Sequence, residues 1–128
     1  MTETDDGAQG PLRGVRVVDL GTLLAGPVAA TLLGDFGAEV IKIEQPGVGD
    51  TLRGGAPRPG QPPRTLGLVE GRNKRSVTVN LRVPEGQQLV RDLVATADVV
   101  VENFTPGTLE RWGLGWDDLK AVNPRLVM

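Results

Sequence analysis

The chain has 128 residues, 39% of them apolar, with 14 basic and 16 acidic side chains for a formal net charge of −2, and no His, Cys or Tyr. Without His or Cys there is no Ser-His-Asp or Cys-His nucleophile pair, no thiol redox chemistry, no disulfide and no zinc site with nitrogen or sulfur ligands. Only oxygen-ligand metals such as magnesium remain open to this composition, and we expect no metal. The charge balance gives no global reason to bind nucleic acid, and no run approaches the roughly 20 apolar residues of a membrane-spanning helix.

The start, Met1-Thr2-Glu3-Thr4-Asp5-Asp6, has neither the basic residues nor the apolar stretch of a secretory signal, so we expect a cytoplasmic protein with a disordered acidic tail over 1–10. One α/β domain then fills 11–128. Its first strand is Val15–Leu20, β-branched and set between Gly14 and Gly21. Val28, Ala29, Leu32, Leu33 and Phe36 follow at helical spacing and predict a helix over Pro27–Phe36, with Pro27 at its first position. The alternation from Ala38 to Glu44 predicts a second strand at Glu39–Ile43, completing a right-handed βαβ unit with parallel strands. Five of the ten prolines lie between Pro46 and Pro63, interleaved with Gly47, Gly49, Gly54, Gly55 and Gly60, so residues 46–66 read as a loop long enough to be a lid or binding segment. A third strand is predicted at Ser76–Leu81, a helix at Pro84–Thr96 with Val83 as a poor cap, and a buried strand at Asp98–Glu102. Two short helices at Gly107–Trp112 and Trp116–Val122 precede Leu126-Val127-Met128, which reads as the start of one more strand. The fold class is therefore α/β, a parallel sheet of about four strands with flanking helices.

Three places could carry chemistry. Gly21-Thr22-Leu23-Leu24-Ala25-Gly26-Pro27 joins a strand to a helix N-terminus, where free N–H groups attract anions, although it matches neither a Walker A loop nor GxGxxG and also reads as a plain helix entry. Arg72, Lys74 and Arg75 form a basic run suited to a phosphorylated cofactor, or else to solvent. Asn103 and Phe104 sit at the C-terminal end of a core strand, where open parallel sheets bind ligands; they also read as a turn cap and a core plug. Asp19 reads as a turn-stabilising acid more readily than as a catalytic one.

The order of Pro11–Leu20, Ala25-Gly26-Pro27, Leu33–Glu44, Asn73-Lys74-Arg75-Ser76, Pro84-Glu85-Gly86, Ala97–Phe104, Pro106-Gly107 and Asn123–Leu126 resembles the N-terminal part of the family III CoA-transferases, the group of formyl-CoA and carnitine CoA-transferases. The resemblance implies a Rossmann-like, CoA-binding portion of an enzyme that moves CoA between an acyl-CoA and a carboxylic acid, and whose full-length form is an interlocked homodimer. It implies CoA contacts at Leu23, Leu24, Ala25, Val79, Arg82, Asn103, Phe104, Arg111 and Trp112, to which the charge reading adds Lys74 and Arg75. Leu24 and Gln45 depart from formyl-CoA transferase, which carries Gln and Arg there. The catalytic aspartate of the family is expected beyond Met128, so these residues alone are expected to be inactive. An α-methylacyl-CoA racemase portion and a noncatalytic CoA-binding or assembly module remain as alternatives.

Overall fold

A computed structural model describes residues 10–53 and 65–128, so most of the proposed acidic tail and the centre of the Pro/Gly-rich loop lie outside the described residues. Four strands, β1 (Arg16–Asp19), β2 (Glu39–Glu44), β3 (Lys74–Thr78) and β4 (Val99–Val101), form one parallel sheet in the order β3-β2-β1-β4. This is the crossover topology that strand–helix–strand alternation dictates. Val127 adds a parallel bridge to Val99 on the outer side of β4, where the sequence predicts a further strand.

Helix α1 (Ala25–Asp35) covers one face, closing a core of Val17, Ala30, Ala38 and Val40. Helices α3 (Pro84–Val94) and α5 (Trp116–Val122) and the single turn α4 (Thr108–Arg111) cover the other, with Val18, Val90, Val94, Val100, Leu114 and Leu119 fully buried or nearly so. Helix α1 begins two residues before the predicted Pro27. The proline is tolerated at the third position because none of the first four helical amides has an intrahelical acceptor. Val83 precedes α3 with no side-chain cap hydrogen bond, as its lack of a side-chain oxygen requires.

Two predictions need correction. The third strand starts at Lys74 and ends at Thr78, not at Leu81, because its one neighbour β2 ends at Glu44, opposite Thr78; past Val79 no partner remains. The sequence also predicts loop to residue 66 and order only from Arg75, whereas a 3₁₀ turn forms at Thr51–Arg53 and a helix α2 at Thr65–Glu70. Helix α2 is made by tertiary contacts: Gly67 lies against the Leu52 carbonyl, where a Cβ would come within 2.6 Å, and the buried Thr31 hydroxyl meets the Glu70 carbonyl at 2.7 Å. Among the described residues no helix is long and apolar enough to cross a membrane.

Candidate functional site

All four strands run the same way, so their C-terminal ends and the loops that leave them gather at one edge of the sheet, the place where open α/β sheets bind ligands. A cleft of about 700 Å³, counting space open to solvent, lies there. The exits of β1 (Leu20 to Thr22) and β3 (Val79 to Arg82) form two of its sides, and the loop after β2 (Gln45, and Val48 to Thr51) a third. Phe104 and Trp112 complete it with an edge-to-face aromatic pair, ring centroids 5.6 Å apart at 79°.

The charge in this cleft is set by what neighbouring carboxylates leave free. Among the described residues Arg82 has an exposed side chain and makes no ion pair. The basic run does not share this freedom. Lys74 Nζ, on a side chain only 3% exposed, donates to Asp19 Oδ2 at 2.9 Å and to the Pro27 carbonyl at 2.7 Å, on the α1 side of the sheet. Arg75 pairs with Glu39 at 3.2 Å, and Arg72 with Asp35. Lys74 and Arg75 therefore do not line this cleft: consecutive residues of an edge strand point to opposite faces, and each meets its own carboxylate. Arg82 is the cation that faces the cleft.

Asp19 is fully buried, and its carboxylate also accepts the Gly21 amide at 2.9 Å and lies 3.5 Å from Lys42 Nζ. It is a turn-stabilising acid, as its sequence position predicts. Lys42 reaches the Gly21 carbonyl and Asp50 Oδ2, at 3.1 Å from the latter, and so ties the loop after β2 to the sheet. Glu44 does the same from the end of β2. Its buried carboxylate accepts Arg53 Nε and Nη2, each at 2.7 Å, the Ser76 hydroxyl at 2.6 Å and the Asp50 amide at 2.8 Å. Burial would raise this carboxyl's pKa, but the hydrogen bonds from Arg53, Ser76 and Asp50 outweigh it and hold the value at about 2. The cleft wall that leaves β2 at Gln45 is thus tied back to the sheet at Asp50 and Arg53 by the buried Lys42 and Glu44.

The β1–α1 turn is held from the opposite side. Thr22 donates its amide to Asn103 Oδ1 at 2.7 Å, and Asn103 Nδ2 donates back to the Thr22 carbonyl at 2.8 Å. Gly21 and Gly26 are in backbone contact beneath, where a Cβ on either would come within 2.9 Å of the other's Cα. Leu23, Leu24 and Ala25 are exposed on the turn beside the cleft, and Arg111 is exposed with its guanidinium on Thr108 Oγ1 at 3.0 Å. Of the residues expected from the sequence, the structure brings Val79, Arg82, Phe104 and Trp112 together in the cleft. Leu23, Leu24, Ala25 and Asn103 stand beside it, and Arg111 one residue before the cleft-lining Trp112. Glu44, Asp50 and Thr51 escaped the sequence reading. The one local sign of them was the Gly-rich stretch after a strand, which marks a binding loop without saying which side chains anchor it.

Comparison with protein families matches residues 12–128 to "CoA-transferase family III". The succinyl-CoA–L-malate CoA-transferase beta subunit of Chloroflexus aurantiacus is 53% identical over 118 residues, which are 92% of this chain and 29% of that protein. The human succinyl-CoA:glutarate CoA-transferase is 44% identical over 117 residues, 91% of this chain and 27% of that protein. The crystal structure of a CAIB/BAIF family protein from Brucella suis superimposes with a TM-score of 0.83 at 45% identity, over 92% of this chain and 32% of that one. The chain thus spans about 30% of the length of the relatives it matches.

Proposed function

Because the chain belongs to CoA-transferase family III, we propose that it forms the CoA-holding portion of an enzyme that transfers CoA from an acyl-CoA to a carboxylic acid. The observation that carries this reading is the meeting, in one cleft at the C-terminal edge of a parallel sheet, of an unpaired guanidinium and an aromatic pair. Arg82 suits a phosphate of the nucleotide, and Phe104 with Trp112 a base or the pantetheine arm. Leu23 to Ala25, Asn103 and Arg111 border the same ligand. The names of the relatives support transfer rather than racemisation. They also point to the acceptor class, since L-malate, D-citramalate, glutarate and oxalate are all dicarboxylates. The nucleophilic carboxylate comes from the remainder of the whole protein, which works as a cytoplasmic homodimer; Asp19, enclosed by two ammonium groups and an amide, has no open side from which to attack a thioester.

Calorimetric titration of the chain with CoA tests the reading. Binding at one site per chain is expected, weakening as salt screens the phosphate contacts. Arg82→Ala should lower affinity about tenfold to a hundredfold, the value of one charge-assisted hydrogen bond. Wild-type affinity in Arg82→Ala, or no CoA binding by the folded chain, would overturn it.

A further inference from the structure

We infer that Asn103 is a positioning residue whose carboxamide locks the β1–α1 turn in the left-handed conformation at Leu23, and so presents the Thr22–Leu24 backbone at the mouth of the cleft. The inference rests on the CoA reading for its consequence and on the turn itself for its geometry.

Among the described residues only Leu23 and Asn73 have positive φ without being glycine, at 60° and 57°. Asparagine visits this region readily; leucine does not, because its Cβ crowds the following carbonyl. Nothing in the turn's own packing repays that strain, since Leu23 is 60% exposed. What surrounds it is a set of polar restraints. Asn103, 81 positions away in sequence, both accepts from and donates to the Thr22 backbone, and the Thr51 hydroxyl accepts the Leu23 amide at 3.3 Å. Glycine at residue 26 makes room for the carboxamide: a Cβ there would stand 3.0 Å from Asn103 Oδ1 and 2.9 Å from the Gly21 Cα. Sparsely populated backbone held by outside restraints concentrates at ligand clamps. The oxygen and the nitrogen of the Asn103 carboxamide both bond to the Thr22 backbone, so its side chain acts through the turn, while the next residue, Phe104, lines the cleft.

A direct ligand contact and a clamp differ in one measurable way: only a clamp loses its importance once the turn no longer needs restraining. The left-handed conformation costs leucine about 1–2 kcal/mol, which corresponds to about a five- to thirtyfold change in affinity. CoA titrations of the wild-type chain, Asn103→Ala, Leu23→Gly and the double variant form a cycle. Asn103→Ala should weaken CoA binding about five- to thirtyfold when residue 23 is leucine, and by about twofold or less in the Leu23→Gly background. Equal losses in both backgrounds would overturn the inference and make Asn103 a direct contact. Asn103→Asp, which keeps the shape and the acceptor but lacks the donor to the Thr22 carbonyl, serves if the alanine variant fails to fold. Hydrogen exchange reads the clamp without ligand. The Thr22 amide should exchange at least about tenfold faster in Asn103→Ala, which alone removes its acceptor, and an unchanged rate overturns the clamp. If the folded wild-type chain binds no CoA the CoA reading fails, and the Thr22 exchange rate still decides whether Asn103 holds the turn.

Discussion

Replacing Lys74 by methionine separates a structural from a ligand-binding role for the basic run. The substitution keeps the apolar stem and removes the ammonium from a side chain that is 3% exposed. Asp19 then loses its 2.9 Å partner in a fully buried position, and the Pro27 carbonyl loses a donor at 2.7 Å. Breaking a buried ion pair by removing one partner costs about 3–5 kcal/mol, because the other charge is left in a poor solvent. Here Asp19 keeps the Gly21 amide at 2.9 Å and Lys42 at 3.5 Å, which places the expected loss at the lower end, about 3 kcal/mol. That is a large share of the roughly 5–15 kcal/mol that holds a domain folded. Urea unfolding followed by the fluorescence of Trp112 and Trp116 measures it. Arg75→Ala is the control: its partner Glu39 also holds Arg16, its side chain is 71% exposed, and the change should be no more than about 0.5 kcal/mol. A Lys74→Met variant as stable as wild type but weaker for CoA would refute the reasoning and return Lys74 to the ligand.

Glu44 makes stability depend on acid. Its folded pKa of about 2 lies below its ordinary 4.5, so its contribution is complete above about pH 4.5 and is lost as pH falls toward 2; we expect about 2–3 kcal/mol, reduced by the half-exposed Arg53. Denaturant midpoints across that range should fall for wild type and stay flatter for Glu44→Gln. Val83→Ser should raise stability by about 0.5–1 kcal/mol in thermal melts, since the cap residue is already extended and lacks only the side-chain acceptor. Gly86→Ala should cost about 1–3 kcal/mol and weaken CoA binding, because a Cβ there collides with the Asn80 carbonyl and forces back the turn that carries Arg82.

The sequence reports periodicity well and partnership poorly. Alternating residues such as Glu39–Glu44 and the apolar stripe Leu89, Val90, Leu93, Val94 and Ala97 name their elements because burial imposes a period on each, although Leu89 at the stripe's margin stays exposed. The residues from Arg75 to Leu81 alternate equally well, and only the end of β2 at Glu44 decides where pairing stops. Helix α2 has six residues with Gly67 inside it and no periodicity to betray it; the Leu52 and Thr31 contacts that fix it are remote in sequence. The same limit governs the site. Phe104 was legible as an aromatic residue at a strand end, whereas Val79 and Trp112 were singled out by the family resemblance. Whether a cation is free depends on carboxylates 36 to 55 positions away, so Lys74 and Arg82 look alike in the chain and differ completely in the fold.

Amide chemical-shift mapping of the isotopically labelled chain during a CoA titration tests the central claim most directly, because it reports where the ligand sits without presuming which side chain holds it. The account predicts the largest shifts in Gly21 to Leu24, Val79 to Arg82, and Phe104 to Trp112, all at the C-terminal edge of the sheet. Shifts centred on Arg13 to Arg16, Ala38 and Asn73, at the opposite edge, or no shifts at saturating CoA, would contradict it.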